Sequence, residues 1–222
     1  MKIIFLGPPG AGKGTYSSRI SGILRIPHIS TGDMFREAVN HGTKIGVNVS
    51  EYLKKGELVP DEITIDVLKN RISQPDCKKG FILDGFPRTI KQAEALCSIT
   101  NLDVVFNLGL YEDVLIKKLS ARRICKTCGE IYNLADIREK IAGVKYHMSP
   151  ILPRTPGVCD KCRGELIQRK DDTIAIIRAR LKVYKLQTEP LIKYYNSIGI
   201  LQGVLVNAGP EIMVPKIMAH LN

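Results

Sequence analysis

Residues 2–15 read KIIFLGPPGAGKGT, in which an apolar run ends at Gly7 and a glycine-rich turn leads to Lys13, Gly14 and Thr15. The apolar run predicts a buried β-strand, and the pattern that follows Lys13 predicts a helix. Glycines at a helix start leave backbone N–H groups free at the positive end of the helix dipole, where they bind anions. A plain tight turn would not need four glycines and a lysine within eight residues. The stretch therefore predicts a phosphate-binding loop, although Gly14 stands where the usual pattern has a hydroxyl residue directly after the lysine.

Short apolar strands alternate with amphipathic helices along the rest of the chain. Strands are predicted at residues 2–6, 27–30, 81–84, 104–108 and 204–207. Helices are predicted at residues 13–24, 61–72, 90–98, 112–121, 173–195 with a break near Pro190, and 211–220. Strands that alternate with helices favour an α/β fold, here a five-stranded parallel sheet with helices on both faces.

Two segments interrupt this alternation. Residues 31–60 contain two short helical patterns, at about 34–40 and 46–55, and predict a small helical insertion. Residues 122–169 contain four cysteines and no long apolar period, so we expect them to lie outside the main sheet. The remainder, residues 1–30, 61–121 and 170–222, is assigned to the core domain. We expect both insertions at the edge where the strands end, because α/β sheets bind ligands there.

The composition is that of a foldable chain with a basic surface. Of the 222 residues, 44% are hydrophobic and 25% are charged, which excludes disordered and low-complexity classes. The formal net charge of +11 predicts affinity for anions without selecting among nucleic acid, lipid surfaces and small phosphates. The apolar run at residues 3–6 is too short for the core of a signal peptide, so we expect a cytoplasmic protein with no membrane span.

The strand at residues 81–84 ends in Asp84. A carboxylate at a strand exit near the phosphate loop suits a hydrated Mg²⁺ ion, which prefers oxygen ligands. An aspartate at a strand end is also an ordinary turn former. This residue alone leaves both interpretations open.

Four of the six cysteines form two Cys-x-x-Cys pairs, Cys125 with Cys128 and Cys159 with Cys162. Four thiolates at tetrahedral corners suit a structural Zn²⁺ ion, and the alternative is a reduced, unligated pair of redox motifs. The 30 residues between the pairs exceed the usual spacing of about 15 to 20. The other two cysteines, at positions 77 and 97, are expected to be small apolar side chains.

Two further strings complete a recognisable pattern. Residues 30–36 read STGDMFR and residues 83–89 read LDGFPRT. Together with the glycine-rich loop, they stand in the order and spacing of the adenylate kinase family, which the chain resembles from about residue 1 to 180 and more loosely beyond. The resemblance implies a P-loop kinase fold in which residues 31–60 bind the monophosphate and residues 122–169 form a zinc-bearing long lid. It also implies the reaction ATP + AMP to 2 ADP, with Mg²⁺ on the ATP, in a monomer.

The resemblance assigns roles to individual residues through the matching strings. The cations expected to act in catalysis are Lys13, Arg36, Arg88, Arg122, Arg169 and Arg180. The residues expected to bind ATP are Gly10, Ala11, Gly12, Lys13, Gly14, Thr15, Arg122, Ile131, Tyr132 and Pro210. The residues expected to bind AMP are Thr31, Arg36, Glu57, Leu58, Val59, Gly85, Phe86, Pro87, Arg88, Gln92, Arg169 and Arg180. Mg²⁺ would be held through water by Thr15 and Asp84, and the metal of the lid by Cys125, Cys128, Cys159 and Cys162.

Several of these residues also have a structural interpretation. Gln92 completes a capping box at the start of its helix, so its amide either caps the helix or recognises the base. Ile131 and Tyr132 either cover the nucleotide or pack inside the lid. Arg178 and Arg180 lie about 200° apart around a helix, so only one can face the cleft, and the resemblance favours Arg180.

Two charged residues near the predicted site, Lys118 and Asp33, have no single assignment from the family pattern. Lys118 stands where the family commonly has arginine, which keeps the positive charge but loses the two-pronged grip on phosphate. Asp33 is expected behind the magnesium site, or else as a helix N-terminal aspartate that offsets the dipole.

Two other functions remain open. The first is a zinc-ribbon nucleic-acid binder with an ATPase loop. The 6% aromatic content and the lack of tryptophan argue against it, as does the placement of several cations in catalytic strings. The second is a kinase for GMP, UMP or CMP, against which Gln92 and LDGFPRT favour AMP by resemblance. We therefore expect ATP, AMP and ADP as partners, and neither nucleic acid nor a membrane.

Overall fold

The computed structural model describes residues 1–221 and has a parallel sheet at its centre. The strands are β1 (Lys2–Leu6), β2 (His28–Ser30), β3 (Phe81–Asp84), β4 (Val104–Gly109), β5 (Arg122–Cys125), β6 (Ile131–Asn133), β7 (Ile137–Ile141), β8 (Val144–Met148), β9 (Leu166–Ile167) and β10 (Leu201–Leu205). The central sheet has five parallel strands in the order β10-β4-β1-β3-β2. This confirms the predicted α/β fold.

Helices cover both faces of the central sheet. They are α1 (Lys13–Leu24), α2 (Thr31–Asn40), α3 (Lys44–Lys55), α4 (Asp61–Ile72), α5 (Ile90–Ile99), α6 (Glu112–Ser120), α7 (Ile174–Val183), α8 (Pro190–Ile198) and α9 (Pro210–Met218). Ile3 and Phe5 of β1 pack in one apolar cluster with residues of α1, α6, α7 and α9. Ile4 and Leu6 pack in a second cluster with residues of α4, α5 and α8. Because successive strand residues point to opposite faces, a strand buried on both sides is a continuous apolar run.

The carboxyl ends of β1, β2 and β3 meet at one edge of the sheet, beside the phosphate loop. Phe5 of β1 is in register with Asp84 of β3, and Ser30 of β2 is in register with the same residue. The chain therefore leaves these strands beside one another, and both insertions begin near this edge.

Residues 31–60 contain the helices α2 and α3, which share a small apolar core of Phe35, Val49 and Val59. The two helices approach each other very closely at Gly46. A Cβ atom at this position would lie 2.1 Å from the carbonyl oxygen of Ala38, so only glycine fits there. The predicted helical insertion thus packs around a small core, to which Ile63 and Val67 of α4 also contribute.

Residues 122–169 form two small sheets separate from the central one. A three-stranded antiparallel sheet has the order β6-β5-β9, and β7 pairs with β8 as a hairpin. The sequence analysis placed this segment outside the main sheet, as observed, but predicted none of these strands.

Several element boundaries differ from the predicted ones by one to three residues, and three of the differences have a clear physical cause. α2 begins at Thr31 and not at about residue 34, because Ser30 caps the helix by accepting from the backbone N–H of Asp33 (3.3 Å). β10 begins at Leu201, three residues before the predicted strand, because Gly203 interrupts the apolar run of this half-exposed edge strand. The break expected near Pro190 begins earlier, at Tyr184.

The helix that precedes Pro190 changes its hydrogen-bond pattern over residues 184–188. This π-helical turn is closed by a bond from the backbone N–H of Glu189 to the carbonyl of Tyr184 (2.9 Å). Pro190 has no N–H to donate, so a regular ladder cannot continue through it, and one widened turn accommodates the break.

Candidate active site

The glycine-rich loop wraps around the start of α1. Gly7, Gly10 and Gly12 have φ values of 138°, 87° and 96°, a region that L-residues disfavour. A Cβ atom at Gly7 would also lie 2.6 Å from the carbonyl oxygen of Leu108. Among residues 1–221 no side chain caps α1 at Gly12, so the first N–H groups of the helix are free. The loop therefore has the geometry of an anion-binding site.

Lys13 reaches back across this loop. Its Nζ donates to the carbonyl oxygens of Gly7 (2.7 Å) and Pro8 (2.9 Å). Burial and, to a lesser extent, the charge of Arg88 lower the pKa of Lys13 to about 8 despite the attraction of Asp84. A buried ammonium group among guanidinium groups is stabilised by an anion, and a nucleotide phosphate would supply one.

Asp84 lies at the end of β3, directly beside the loop. A Cβ atom at Gly14 would lie 3.2 Å from its Oδ2, and His28 Nε2 lies 3.5 Å from the same oxygen. Burial alone would raise the pKa of Asp84, but His28 and the Lys13 ammonium hold it below its usual value. The carboxylate and the Thr15 hydroxyl line one cleft and supply oxygen ligands of the kind that Mg²⁺ prefers. The sequence analysis gave His28 no role, and only the pairing of β2 with β3 brings it here.

Five arginines from separate segments line this cleft. They are Arg36 of α2, Arg88 after β3, Arg122 of β5, Arg169 before α7 and Arg180 within α7. Burial lowers the pKa of Arg169 to about 9 and that of Arg180 to about 10, and neighbouring arginines add to both shifts. The buried Nε of Arg169 has no hydrogen-bond partner among the described residues. Because an unpaired buried N–H is unfavourable, the cleft is suited to an anionic ligand.

Two carboxylates that the sequence analysis left without a role orient two of these arginines. Asp172 accepts from Arg122 Nε (2.8 Å) and Nη2 (2.6 Å), a bidentate pair in which the carboxylate is fully buried. Asp171 lies 2.9 Å from Arg180 Nη1. The available signal was the acidic pair directly after Arg169-Lys170 in an otherwise basic string.

Asp33 joins the helical insertion to the lid. Its Oδ1 accepts from Arg36 Nη2 (2.6 Å) and from Arg169 Nη2 (3.1 Å). Burial raises the pKa of Asp33, but the two arginines outweigh this effect and hold it well below its usual value. The carboxylate thus lies between two guanidinium groups that both line the larger cleft.

A second, smaller cleft opens beside the helical insertion. The residues predicted to bind AMP that line it are Thr31, Arg36, Glu57, Leu58, Val59, Gly85, Arg88, Gln92 and Arg180. The carbonyl of Gly85 accepts from the Thr31 hydroxyl (2.9 Å) and from Arg88 Nε (2.8 Å). Pro87 and Arg169 line the larger cleft, whereas the Phe86 side chain is buried in the core, so only its backbone is available to a nucleotide.

Gln92 takes part in a helix cap. Its Oε1 accepts from the backbone N–H of Arg88 (2.8 Å), and its Nε2 donates to Asp61 Oδ1 (2.7 Å). The Thr89 hydroxyl accepts from the backbone N–H of Gln92 (3.2 Å). Since an amide NH₂ group has two hydrogens, one donor is left for a base.

Most residues predicted to bind ATP line the larger cleft. They are Gly10, Gly12, Lys13, Gly14, Thr15, Arg122, Ile131 and Pro210. Ala11 is buried beneath the loop. The Tyr132 side chain also lies elsewhere, buried with Cys125 and Cys159 in the lid, where its hydroxyl accepts from the backbone N–H of Asp160 (2.8 Å). The Tyr132 side chain therefore packs inside the lid, whereas Ile131 lines the cleft, and its contact with a nucleotide stays a prediction.

The structure shows where the two arginines of α7 and Lys118 of α6 lie relative to the cleft. Arg180 lines the cleft and Arg178 is exposed, as their angular separation predicts. Lys118 lines the cleft as well, and burial lowers its pKa to about 8.

The four cysteines of the lid converge on one point. Their Sγ atoms all lie within 4.8 Å of one another, with 3.4 Å between Cys125 and Cys162 and 3.6 Å between Cys128 and Cys159. Four thiolates bound tetrahedrally at about 2.3 Å from a zinc ion would be separated by roughly 3.8 Å. The cluster is compatible with zinc.

A family model described as adenylate kinase matches residues 5–200. The chain belongs to the adenylate kinase family. It is 49% identical over 209 residues to an adenylate kinase of Archaeoglobus fulgidus, covering 92% of this chain and 90% of the relative. It is 50% identical over 200 residues to an adenylate kinase of Thermosipho melanesiensis, covering 88% and 87%. It is also 47% identical over 209 residues to an adenylate kinase of Moorella thermoacetica, covering 92% and 90%.

Membership of the adenylate kinase family makes this chain a phosphotransferase, and the four-cysteine cluster is consistent with a long, zinc-bearing lid. Within residues 1–221, every helix is too short or too polar to span a bilayer.

Proposed function

We propose that the chain transfers the terminal phosphoryl group of Mg²⁺-bound ATP to AMP and forms two ADP. The observation that best supports this is that Arg36, Arg88 and Arg180 line both clefts, one beside the phosphate loop and one beside the helical insertion. The other cations, Lys13, Arg122 and Arg169, line the larger cleft. A single nucleotide would need only one of these clefts. Two nucleotides whose phosphates meet between them would use both.

The donor occupies the larger cleft. The free N–H groups after Gly12 bind its phosphates, and Lys13 exchanges its two carbonyl contacts for phosphate oxygens. Arg122, held by Asp172, meets the transferred group from the lid side. Thr15 and Asp84 would hold Mg²⁺, which when bound neutralises charge on the outer phosphates.

The acceptor occupies the smaller cleft. Arg36 and Arg88 bind its phosphate, because guanidinium groups grip two phosphate oxygens in one plane. The remaining N–H of Gln92, the buried Thr31 and the segment from Glu57 to Val59 surround its base.

The transfer itself requires charge stabilisation more than covalent help. The acceptor phosphate is ionised at neutral pH, so its oxygen attacks the terminal phosphorus without a general base, and ADP leaves with the bond electrons. Charge spreads over the peripheral oxygens of the transferred group, where Lys13, Arg88, Arg122, Arg169 and Arg180 stabilise it. Closure of the two insertions excludes water, which would otherwise compete with AMP as acceptor.

The four cysteines would hold a structural Zn²⁺ ion. The three-stranded sheet of the lid has a very small apolar core, made of Cys125, Tyr132 and Cys159 with two partly buried neighbours. A metal can replace such a core, because its binding energy is available only to the folded arrangement. Reduced thiolates and a cytoplasmic location are consistent with one another. A monomer is expected by analogy with the family.

The test is an assay that couples ADP formation to a spectroscopic signal. The enzyme should form ADP from ATP and Mg²⁺ only when AMP is added, and GMP, UMP or CMP in its place should give at most a small fraction of that rate. An ATPase would release ADP equally with and without AMP. Either that result or a preference for another monophosphate would overturn the proposal.

A further inference from the structure

Residues 134–150 form an excursion from the cysteine-bearing sheet to which the proposed function gives no task. Asn133 and Ile151, at its two ends, are joined by backbone hydrogen bonds of 3.0 and 2.8 Å. The sheet around the cysteines is therefore closed without this excursion. Within it, β7 and β8 form a hairpin whose register pairs Ile137 with Met148.

The two faces of the hairpin differ in character. Ile137, Tyr146 and Met148 are 2%, 2% and 5% exposed and belong to the apolar cluster of the core domain, not to that of the cysteines. The opposite face carries exposed basic residues, which are Arg138, Lys140, Lys145 and His147. The hairpin is thus part of the lid by sequence and part of the core by packing.

Polar and aromatic contacts also fasten the hairpin to the core domain. The backbone N–H of His147 donates to the carbonyl of Asn207 (2.9 Å), just before the segment that carries Pro210. Tyr146 meets Tyr111 edge to face with 6.3 Å between the ring centres. Glu139 forms an ion pair with Lys117 of α6.

The larger cleft has a charged part and an apolar part. The arginines, Lys13 and Asp84 surround the charged part, so the phosphates must lie there. Another group of lining residues is mostly apolar and comes from the loop, α6, the hairpin and the segment before α9. Four of these residues, Leu119, Ile137, Met148 and Ala208, belong to one apolar cluster. A planar base that extends from phosphates held by Lys13 has this apolar wall available to it.

We propose that Ile137 and Met148 of the hairpin position the purine base of the triphosphate donor and contribute to its selection. Ile137 and Met148 are partners in the register of β7 and β8. Among the described residues, this is the only pair of register partners in the hairpin of which both members line the cleft. The backbone bond from His147 to Asn207 fixes the hairpin to the segment that leads to Pro210. Ile137, Met148 and Pro210 all line the same cleft. The inference rests on the proposed function, because it concerns the donor site of that reaction.

Strand β7 offers a matched pair of variants for the test. Ile137→Ala and Ile141→Ala remove the same atoms from the same strand and the same face, but Ile141 packs on the core cluster without lining the cleft. Ile137→Ala and Met148→Ala should each raise the KM and Kd for ATP on the order of tenfold, with the KM for AMP unchanged within twofold. Ile141→Ala should leave all three constants within twofold, and Met148→Leu should restore most of the ATP affinity.

Inorganic tripolyphosphate separates base binding from a general loss of structure. Calorimetry should show that Ile137→Ala weakens ATP binding but leaves tripolyphosphate binding unchanged, because the probe has no base. If the alanine variants do not fold, Ile137→Val should still raise the Kd for ATP about threefold with tripolyphosphate unaffected. In the same variants, the Kd values for ATP, GTP, CTP and UTP should differ from one another by less than they do in the unaltered enzyme.

Three results would overturn the inference. These are an unchanged Kd for ATP in Ile137→Ala and Met148→Ala, an equal effect of Ile141→Ala, or an equal loss of affinity for tripolyphosphate. Failure of the proposed function is a separate outcome, since the unaltered enzyme would then form no ADP from ATP and AMP.

Discussion

The buried pair between Arg122 and Asp172 gives the most quantitative prediction. Asp172 is fully buried, and its two oxygens accept two hydrogen bonds of 2.8 and 2.6 Å from one guanidinium group, with Arg180 Nη1 a further 3.4 Å away. In Asp172→Asn one oxygen becomes an NH₂ group that faces a guanidinium N–H. The variant therefore keeps the volume of the side chain but loses its charge and one of two acceptors.

The cost follows from the burial of the pair. Removing one partner of a fully buried ion pair costs about 3–5 kcal/mol. Arg122 keeps 15% exposure toward the cleft, and asparagine retains one acceptor, so the expected cost is about 2 kcal/mol. For a chain of this length that lowers the Tm by roughly 4–8 °C. If the same energy is lost from the transition state because Arg122 is misdirected, kcat falls roughly 30-fold.

Thermal denaturation and the coupled ADP assay measure these two effects. Asp136→Asn is the control, because Asp136 pairs with Arg138 on the lid surface with both side chains about half exposed or more. Exposed pairs contribute about 1 kcal/mol or less, so this variant should lose at most about 4 °C and keep its activity within twofold. An Asp172→Asn enzyme as stable and as active as the control variant would refute the positioning role of Asp172.

Three further variants and conditions test other parts of the site. Arg88→Ala should lower kcat on the order of 10²-fold in the same assay, while the exposed Arg178→Ala stays within twofold, and equal effects would remove Arg88 from the catalytic set. Cys128→Ser should lose bound zinc by elemental analysis and melt at lower temperature with the far-UV circular dichroism of the core retained, whereas Cys97→Ser outside the cluster should do neither. Folding lowers the pKa of Lys13 from 10.5 to about 8. Between about pH 8 and 10.5 the unfolded chain therefore binds more protons at this residue than the folded chain does. Because of this difference, Lys13 makes the free energy of unfolding rise as the pH rises across that interval. Over the same interval ATP affinity should fall, approaching tenfold per pH unit above about 8 by calorimetry, and a flat profile would contradict the placement of Lys13 on phosphate.

The central sheet could be predicted because its strands and turns carry local signals. β1 is apolar on both faces, and the glycines that follow it have φ values that other residues rarely adopt. β10 was misplaced because an edge strand is buried on one side only, and Gly203 within it reads as a turn.

The lid was less predictable because its side-chain directions depend on contacts that are distant in sequence. Nothing local distinguishes Ile131, which covers the loop near Gly14, from Tyr132, which turns toward the cysteines. The hairpin was missed because apolar residues are interspersed with charged ones, mostly lysine and arginine, along its short strands. Its apolar face is buried only against the core domain, which is distant in sequence.

The hydrogen-bond partners of the site residues could not be predicted from the sequence either. The resemblance to the family implied roles for Arg122 and Arg180, but gave none to Asp171 and Asp172, the acidic pair that orients them. Gln92 had two interpretations that only its contacts with Arg88 and Asp61 could weigh.

The central claim is that guanidinium groups from the core and both insertions surround phosphates shared by two nucleotides. The most direct measurement is a crystal structure with two adenosines joined through five phosphates. Arg36, Arg88, Arg122, Arg169 and Arg180 should each place a nitrogen within about 3.2 Å of a phosphate oxygen, with the free Nε of Arg169 among them. A ligand bound outside the two clefts, or arginines that keep only their carboxylate partners while the clefts are filled, would contradict the claim.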